Sequence, residues 1–241
     1  TDHEIGRVIQ AIDDMGKLDD TLVIYINGDN GTSAEGGLLG TPNEVAYFNG
    51  VTMMPAETQL QWYDAWGTEE TYNHMAAHWA WAFDTPFTWF KQNASKLGGI
   101  RQNMAVSWPA RIKDKGGLRE QFMHLIDVVP TILEVAGIQA PDYVDGIEQA
   151  PIEGTSFAYT FDKENARAPS RHQTQYFEMM GQYALYHEGW LLATKVNRAP
   201  WEAFGTPNPD PLNNQVLQLY NLNEDFTQSN DIADKHPEKV K

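Results

Sequence analysis

The stretch that most constrains this chain is residues 21–37, TLVIYINGDNGTSAEGG. Residues 22–26 form a continuous apolar run rich in β-branched side chains, flanked by Asp19-Asp20 and Asn27-Gly28. That pattern predicts a short strand buried on both faces. Asp29 and Asn30 follow its carboxyl end. In an open α/β sheet that end gathers loops into a site, and two adjacent oxygen donors there suit a hard metal cation. Gly28, Gly31, Gly36 and Gly37 let the backbone turn sharply and approach a neighbour closely. The same Asp29-Asn30-Gly31 run also reads as a plain turn.

A chain of 241 residues can bury a substantial core, as one large domain or as a medium domain with a small appendage. Its formal net charge of −16 opposes nucleic acid and anionic membranes, so neither is expected as a partner. An anionic substrate would have to be drawn by a local metal and a few placed cations. There is no cysteine, which excludes disulfides and thiolate zinc sites. No apolar run is long enough to span a membrane, and the sequence does not choose between compartments such as cytoplasm and periplasm.

The chain opens on a predicted helix. Thr1 and Glu4 have capping-box spacing, Ile5, Val8, Ile9, Ile12 and Met15 recur on one face, and Gly16 stands near the stop. Such a face needs a sheet to lie on, and the strand at 22–26 follows at once. Residues 38–61 lose periodicity and read as a long ordered loop. Residues 62–90 are dense in aromatic side chains, from Trp62 to Phe90, which points to packing first and to an aromatic pocket second. His74 and His78 have the i, i+4 spacing of a zinc pair, with no third ligand at a motif distance.

Lys91 and Lys96 precede Gly98-Gly99 and Arg101, and residues 104–108 form a second strand candidate closed by Pro109. A lysine that shares a pocket with Asp29 can bind an anionic oxygen and assist a leaving group. Residues 122–126 read as a further strand, with Asp127 capping a helix that holds Pro130 in its first turn and stops at Gly137. Beyond Pro141 the pattern changes to a run of Pro, Gly and acidic residues. Three strand candidates follow, at 174–180, at 183–195 broken by His187-Glu188-Gly189, and at 216–222. They predict a small antiparallel sheet beside the main domain.

Four segments in order, EIGRVIQAIDDMGKLDDTLVIYINGDNG, GGIRQNMAVSWPARI, HLIDVVPTILEVAGI and LYNLNEDFTQSNDIA, resemble the carboxyl-terminal half of an arylsulfatase. The resemblance implies an α/β, alkaline-phosphatase-like mixed sheet sandwiched by helices, here only partial. Residues 1–158 would be the carboxyl-terminal portion of the catalytic domain, and residues 159–241 a small C-terminal antiparallel α+β domain. Asp29 and Asn30 match the pair that coordinates a divalent cation, Ca2+ with Mg2+ as the alternative. Lys91 stands where the family has a lysine contacting the sulfate and the leaving oxygen, and Lys96 is the second choice. Arg101 reads first as a structural ion-pair former.

The family's nucleophile is a formylglycine made from Cys or Ser in a Cys/Ser-x-Pro-x-Arg motif. The one stretch of these residues with that spacing is Ser107-Trp108-Pro109-Ala110-Arg111, at the end of the second strand candidate, whereas the family's motif lies near the amino terminus of the complete enzyme. The resemblance therefore implies a fragment that is inactive by itself, with the formylglycine and further metal ligands in a missing N-terminal half. The expected substrate is a small-molecule sulfate ester, with an aryl ester as the particular case. A phosphonate or phosphodiester hydrolase of the same superfamily and a non-catalytic calcium-binding module remain as alternatives.

Overall fold

The computed structural model describes residues 1–28, 31–51, 53–202, 210 and 213–241. In chain order the elements are α1 (Asp2–Asp14), β1 (Val23–Asn27), α2 (Glu44–Phe48), α3 (Ala56–Gln59), α4 (Ala77–Asp84), α5 (Leu97–Ile100) and β2 (Asn103–Ser107). Then come α6 (Val128–Ala136), β3 (Tyr143–Val144), β4 (Ile147–Glu148), β5 (Thr174–Met179), β6 (Gln182–His187), β7 (Trp190–Thr194), β8 (Leu217–Asn221) and α7 (Pro237–Val240). The chain divides into two compact units, one of Thr1–Ile26 with Met104–Gln175, the other of Asn27–Asn103 with Tyr176–Lys241. Among the described residues no helix is long and apolar enough to cross a membrane.

In the first unit β1 pairs with β2. Leu22, Ile24, Met104, Val106 and Trp108 pack on a core of Phe157, Ala158 and Phe161, together with Val128 and Val135. The strand at 22–26 is confirmed but is not buried on both faces, since Tyr25 is exposed. Its second face looks across an open groove to Ile5 and Ile9 of α1. No residue of α1 is fully buried, and Val8 and Met15 are exposed, so the expected burial of five side chains is not met. The capping box is also absent. Thr1 occupies the N-cap without a side-chain bond, because Glu4 turns forward to Arg7 at 2.6 Å.

Residues 122–126 do not form a strand. His124 caps a short 3-10 turn, its ring nitrogen accepting from the Ile126 N–H while Asp127 accepts from the His124 N–H. Helix α6 follows and ends as predicted at Gly137, φ 67°, where Gly137 N donates to Glu134 O and Ile138 N to Leu133 O. That pair of bonds is a Schellman stop, which a left-handed glycine permits. In the acidic run beyond Pro141, Asp145-Gly146, both at positive φ, closes the β3–β4 hairpin. This is the turn chemistry that an Asp-Gly pair favours.

The second unit holds a sheet in the order β5-β6-β7-β8, antiparallel from β6 to β8, in agreement with the strands predicted for the tail. Its tight turns are Met180-Gly181 and Glu188-Gly189, again at positive φ. Alternate residues Gln182, Ala184 and Tyr186 of β6 are buried, and Ala184 faces Ala193. A second core gathers Ala34, Ala77, Ala80 and Phe90, with Met75, Trp89 and Trp201 against it. The aromatic stretch is thus divided in role. Phe90 is buried among Trp81, Trp89 and Trp201, whereas Trp62, Tyr63, Tyr72, Trp79 and Phe83 are exposed.

Candidate active site: the loop at Glu35 and Lys91

Three glycines in the second unit bring two distant loops together. At Gly31, φ 88°, a side chain would run into the Gly98 carbonyl oxygen and come within 2.9 Å of the Lys91 nitrogen. Gly98 and Gly99 lie equally close to backbone carbonyls of residues 88–93, so the Gly-Gly pair serves as the seat of the loop that carries Lys91. Lys91 N donates to Thr32 O at 3.2 Å. Thr32 in turn is tied through its N–H and hydroxyl to Asp84 at the end of α4. Such close backbone approach is what Gly-rich segments supply.

Between these loops stands Glu35, a buried carboxylate with four partners. It accepts from the Ser33 hydroxyl and, at 2.5 Å, from Gln92 Nε2. Lys91 Nζ lies 3.5 Å away and His74 Nε2 3.7 Å away. The His74 imidazole beside it is the largest effect on its acidity, and the Ser33 and Gln92 hydrogen bonds and the Lys91 charge add to it. Against the opposing effect of burial they hold the carboxyl at about 2. The neighbouring Glu35 carboxylate in turn raises His74 above the ordinary imidazole value. Glu35 is therefore ionised at neutral pH, next to a lysine whose side chain remains 31% exposed.

The tautomer of His74 follows from its neighbours. Nδ1 faces both the Gly36 N–H at 3.2 Å and the Met75 carbonyl at 3.3 Å. Ser33 gives its hydrogen to Glu35, so Nε2, 2.7 Å from Ser33 Oγ, is the ring nitrogen that donates to it. An imidazole that donates to a serine cannot take the serine's proton, so Ser33 and His74 are not arranged as a nucleophile and its base.

His74 precedes α4 in an irregular segment paired with Thr41, and His78 lies inside the helix with Nδ1 3.1 Å from Leu38 O. The two histidines therefore do not share a helical face, and the zinc-pair spacing is overturned by the extended backbone at Ala76. Asp29 and Asn30 lie outside the described residues. Among the described residues no group of three His, Asp or Glu side chains is arranged to hold a metal ion.

The two candidate lysines enter different surroundings. Lys91 meets Glu35, whereas Lys96 is buried with Nζ 2.6 Å from Tyr220 Oη and 3.1 Å from Gln218 Oε1. Arg101 makes no ion pair among the described residues. It stacks instead on Phe226 and Phe87, 4.4 and 5.3 Å from the ring centroids. Sequence reasoning passed over Glu35, Ser33 and Gln92. One signal was available, since Glu35 is the sole charged residue from Gly31 to Asn43, and Gly36-Gly37 follow it directly.

The chain is similar over its length to solved structures that share the alkaline-phosphatase-like sulfatase fold. A protein from work on glycosaminoglycan metabolism by Bacteroides thetaiotaomicron is 17% identical with a TM-score of 0.60, over 98% of this chain and 40% of that one. Ps i-CgsB in complex with k-i-k-neocarrahexaose is 16% identical with a TM-score of 0.59, over 99% of this chain and 38% of that one. The expected fold class is thereby confirmed, as a part of the full fold. Among curated relatives, an uncharacterized sulfatase of Schizosaccharomyces pombe is 27% identical over 98% of this chain and 39% of its own length. The arylsulfatase of Klebsiella aerogenes is 24% identical over 75% of this chain and 35% of its own length. The chain thus spans less than half the length of these relatives. The family model described as Sulfatase matches residues 1–138, more than half of the 241, and the chain belongs to the sulfatase family.

Proposed function

We propose that this chain is part of a sulfuric ester hydrolase of the arylsulfatase type, which cleaves sulfate monoesters. The observation that carries the reading is the family match over residues 1–138, together with a partly exposed Lys91 at the glycine-built junction. Lys91 is proposed to contact the sulfate and to offset charge on the departing oxygen, as an ammonium point charge does well. The formylglycine nucleophile is proposed to come from a part of the protein outside these residues. Asp29 and Asn30 offer hard oxygen donors of the kind that Ca2+ or Mg2+ takes, and further ligands would come from elsewhere. A bound divalent cation would supply charge stabilisation of sulfate oxygens and a lowered pKa for the attacking hydroxyl.

The test uses the full-length protein with an aryl sulfate and with the matching aryl phosphodiester. Turnover of the sulfate that falls about 100-fold or more in Lys91→Ala supports the reading. Full turnover in that variant, or preference for the phosphodiester, sinks it. Chelation with restoration by Ca2+ checks the cation separately. Binding of the cation without turnover of either ester would favour the calcium-binding module instead.

A further inference from the structure

Lys91 lies in a backbone segment that is expensive to hold. Trp89 and Gln92, on either side of it, sit at φ 67° and 77°, the left-handed region that side chains other than glycine rarely adopt. Each such residue carries backbone strain, so the surrounding contacts must fix it. Gln92 sends its amide Nε2 to Glu35 Oε1 at 2.5 Å, and Lys91 sends its ammonium to Glu35 Oε2 at 3.5 Å. One carboxylate therefore receives two consecutive side chains of the strained loop.

Glu35 is itself held from the opposite side. Ser33 donates to it, and His74 supports Ser33 through Nε2 at 2.7 Å, with the ring oriented by the Gly36 N–H on Nδ1. Glu35 and His74 are each 9% exposed, and Gln92 is 8% exposed. Within this network Ser33 and Lys91 are half-buried, and Lys91, its side chain 31% exposed, is the member that carries a cation toward solvent. A buried carboxylate supplied with this many donors, and ending on one accessible cation, has the form of a support for that cation.

We infer that Glu35, braced by Ser33 and His74, is the positioning residue that aims the Lys91 ammonium at the substrate anion. The inference rests on the reading of Lys91 as the sulfate contact and extends it to the residues that hold the lysine in place. Glu35 touches no reacting atom and acts only through Lys91.

The test is a double-mutant cycle in the full-length protein, with kcat/KM on an aryl sulfate and the thermal midpoint measured for Glu35→Gln, Lys91→Met and the double variant. Glu35→Gln is expected to lower kcat/KM about 10- to 100-fold, the range seen when an outer support is removed. In the Lys91→Met background the same change is expected to add no further loss of kcat/KM. Losses that multiply in the double variant would show a structural role independent of Lys91 and overturn the inference, as would unchanged kcat/KM in Glu35→Gln. Full activity in Lys91→Met strikes the functional reading itself, so the two failures are distinguishable. If Glu35→Gln does not fold, Ser33→Ala takes its place in the cycle. A loss in Ser33→Ala that persists at full size in the Lys91→Met background then overturns the inference.

Discussion

The Lys96 ammonium donates to the phenolic oxygen of Tyr220 at 2.6 Å and stands 4.4 Å from that ring's centroid, while the whole residue is only 5% exposed. Burial lowers its pKa from 10.5 to about 8, against the opposing pull of Asp231 and Asp225. Between those two values the unfolded chain keeps a proton that the folded chain has released, so this group makes stability rise with pH. Tyr220, which burial raises above its ordinary 10.0, acts in the opposite sense only at higher pH. Urea unfolding from pH 8 to pH 10 should therefore show the wild type gaining about 2–3 kcal/mol relative to Lys96→Met. Equal slopes in the two proteins would contradict the burial of a strained cation at this position.

Asp127 and His172 make the corresponding buried pair of the first unit. Both carboxylate oxygens lie within 2.9 Å of His172 Nδ1, and they also accept from the N–H groups of His124 and Thr155. The other ring nitrogen faces the Thr174 carbonyl at 3.1 Å, so the ring is held at both edges. Asp127→Ala leaves two backbone donors and a buried imidazole without their acceptor. Its expected cost is about 3–5 kcal/mol in chemical denaturation. A loss below about 1 kcal/mol would mean that water replaces the carboxylate and that the pair is not structural.

What the sequence revealed follows the range of its signals. The strand at 22–26, the helix stopped by Gly137 and the four-stranded tail rest on apolar runs and on glycines within a few residues, and these elements stand in the structure. The strand expected at 122–126 failed because a histidine cap and a carboxylate three residues on redirect the backbone there. Asp127 stands at the N-cap of α6 as expected but makes no side-chain capping bond there, since its carboxylate is committed to the N–H groups of His124 and Thr155 and to His172. Non-local pairing also hid the Glu35 network, in which Gln92 lies 57 residues from its acceptor. Gly98-Gly99 announced a close backbone approach, but what it approaches could be named only in three dimensions.

Gly31 tests whether that approach is required. Gly31 and Gly50 share the same backbone angle, φ 88°, so alanine at either position pays the same left-handed strain of about 1–2 kcal/mol. Their surroundings differ. A Cβ at Gly50 meets nothing within 4 Å, while a Cβ at Gly31 collides with the backbone of Gly98 and lies 2.9 Å from the Lys91 nitrogen. Backbone on that side cannot yield as a flexible side chain would, so Gly31→Ala should lose at least about 2 kcal/mol more than Gly50→Ala in thermal or urea unfolding. Because the displaced segment carries Lys91, full-length Gly31→Ala should also lose turnover while Gly50→Ala keeps it. Equal losses in the two variants would show that backbone angle alone explains the glycine, and that the loop bearing Lys91 is not seated on it.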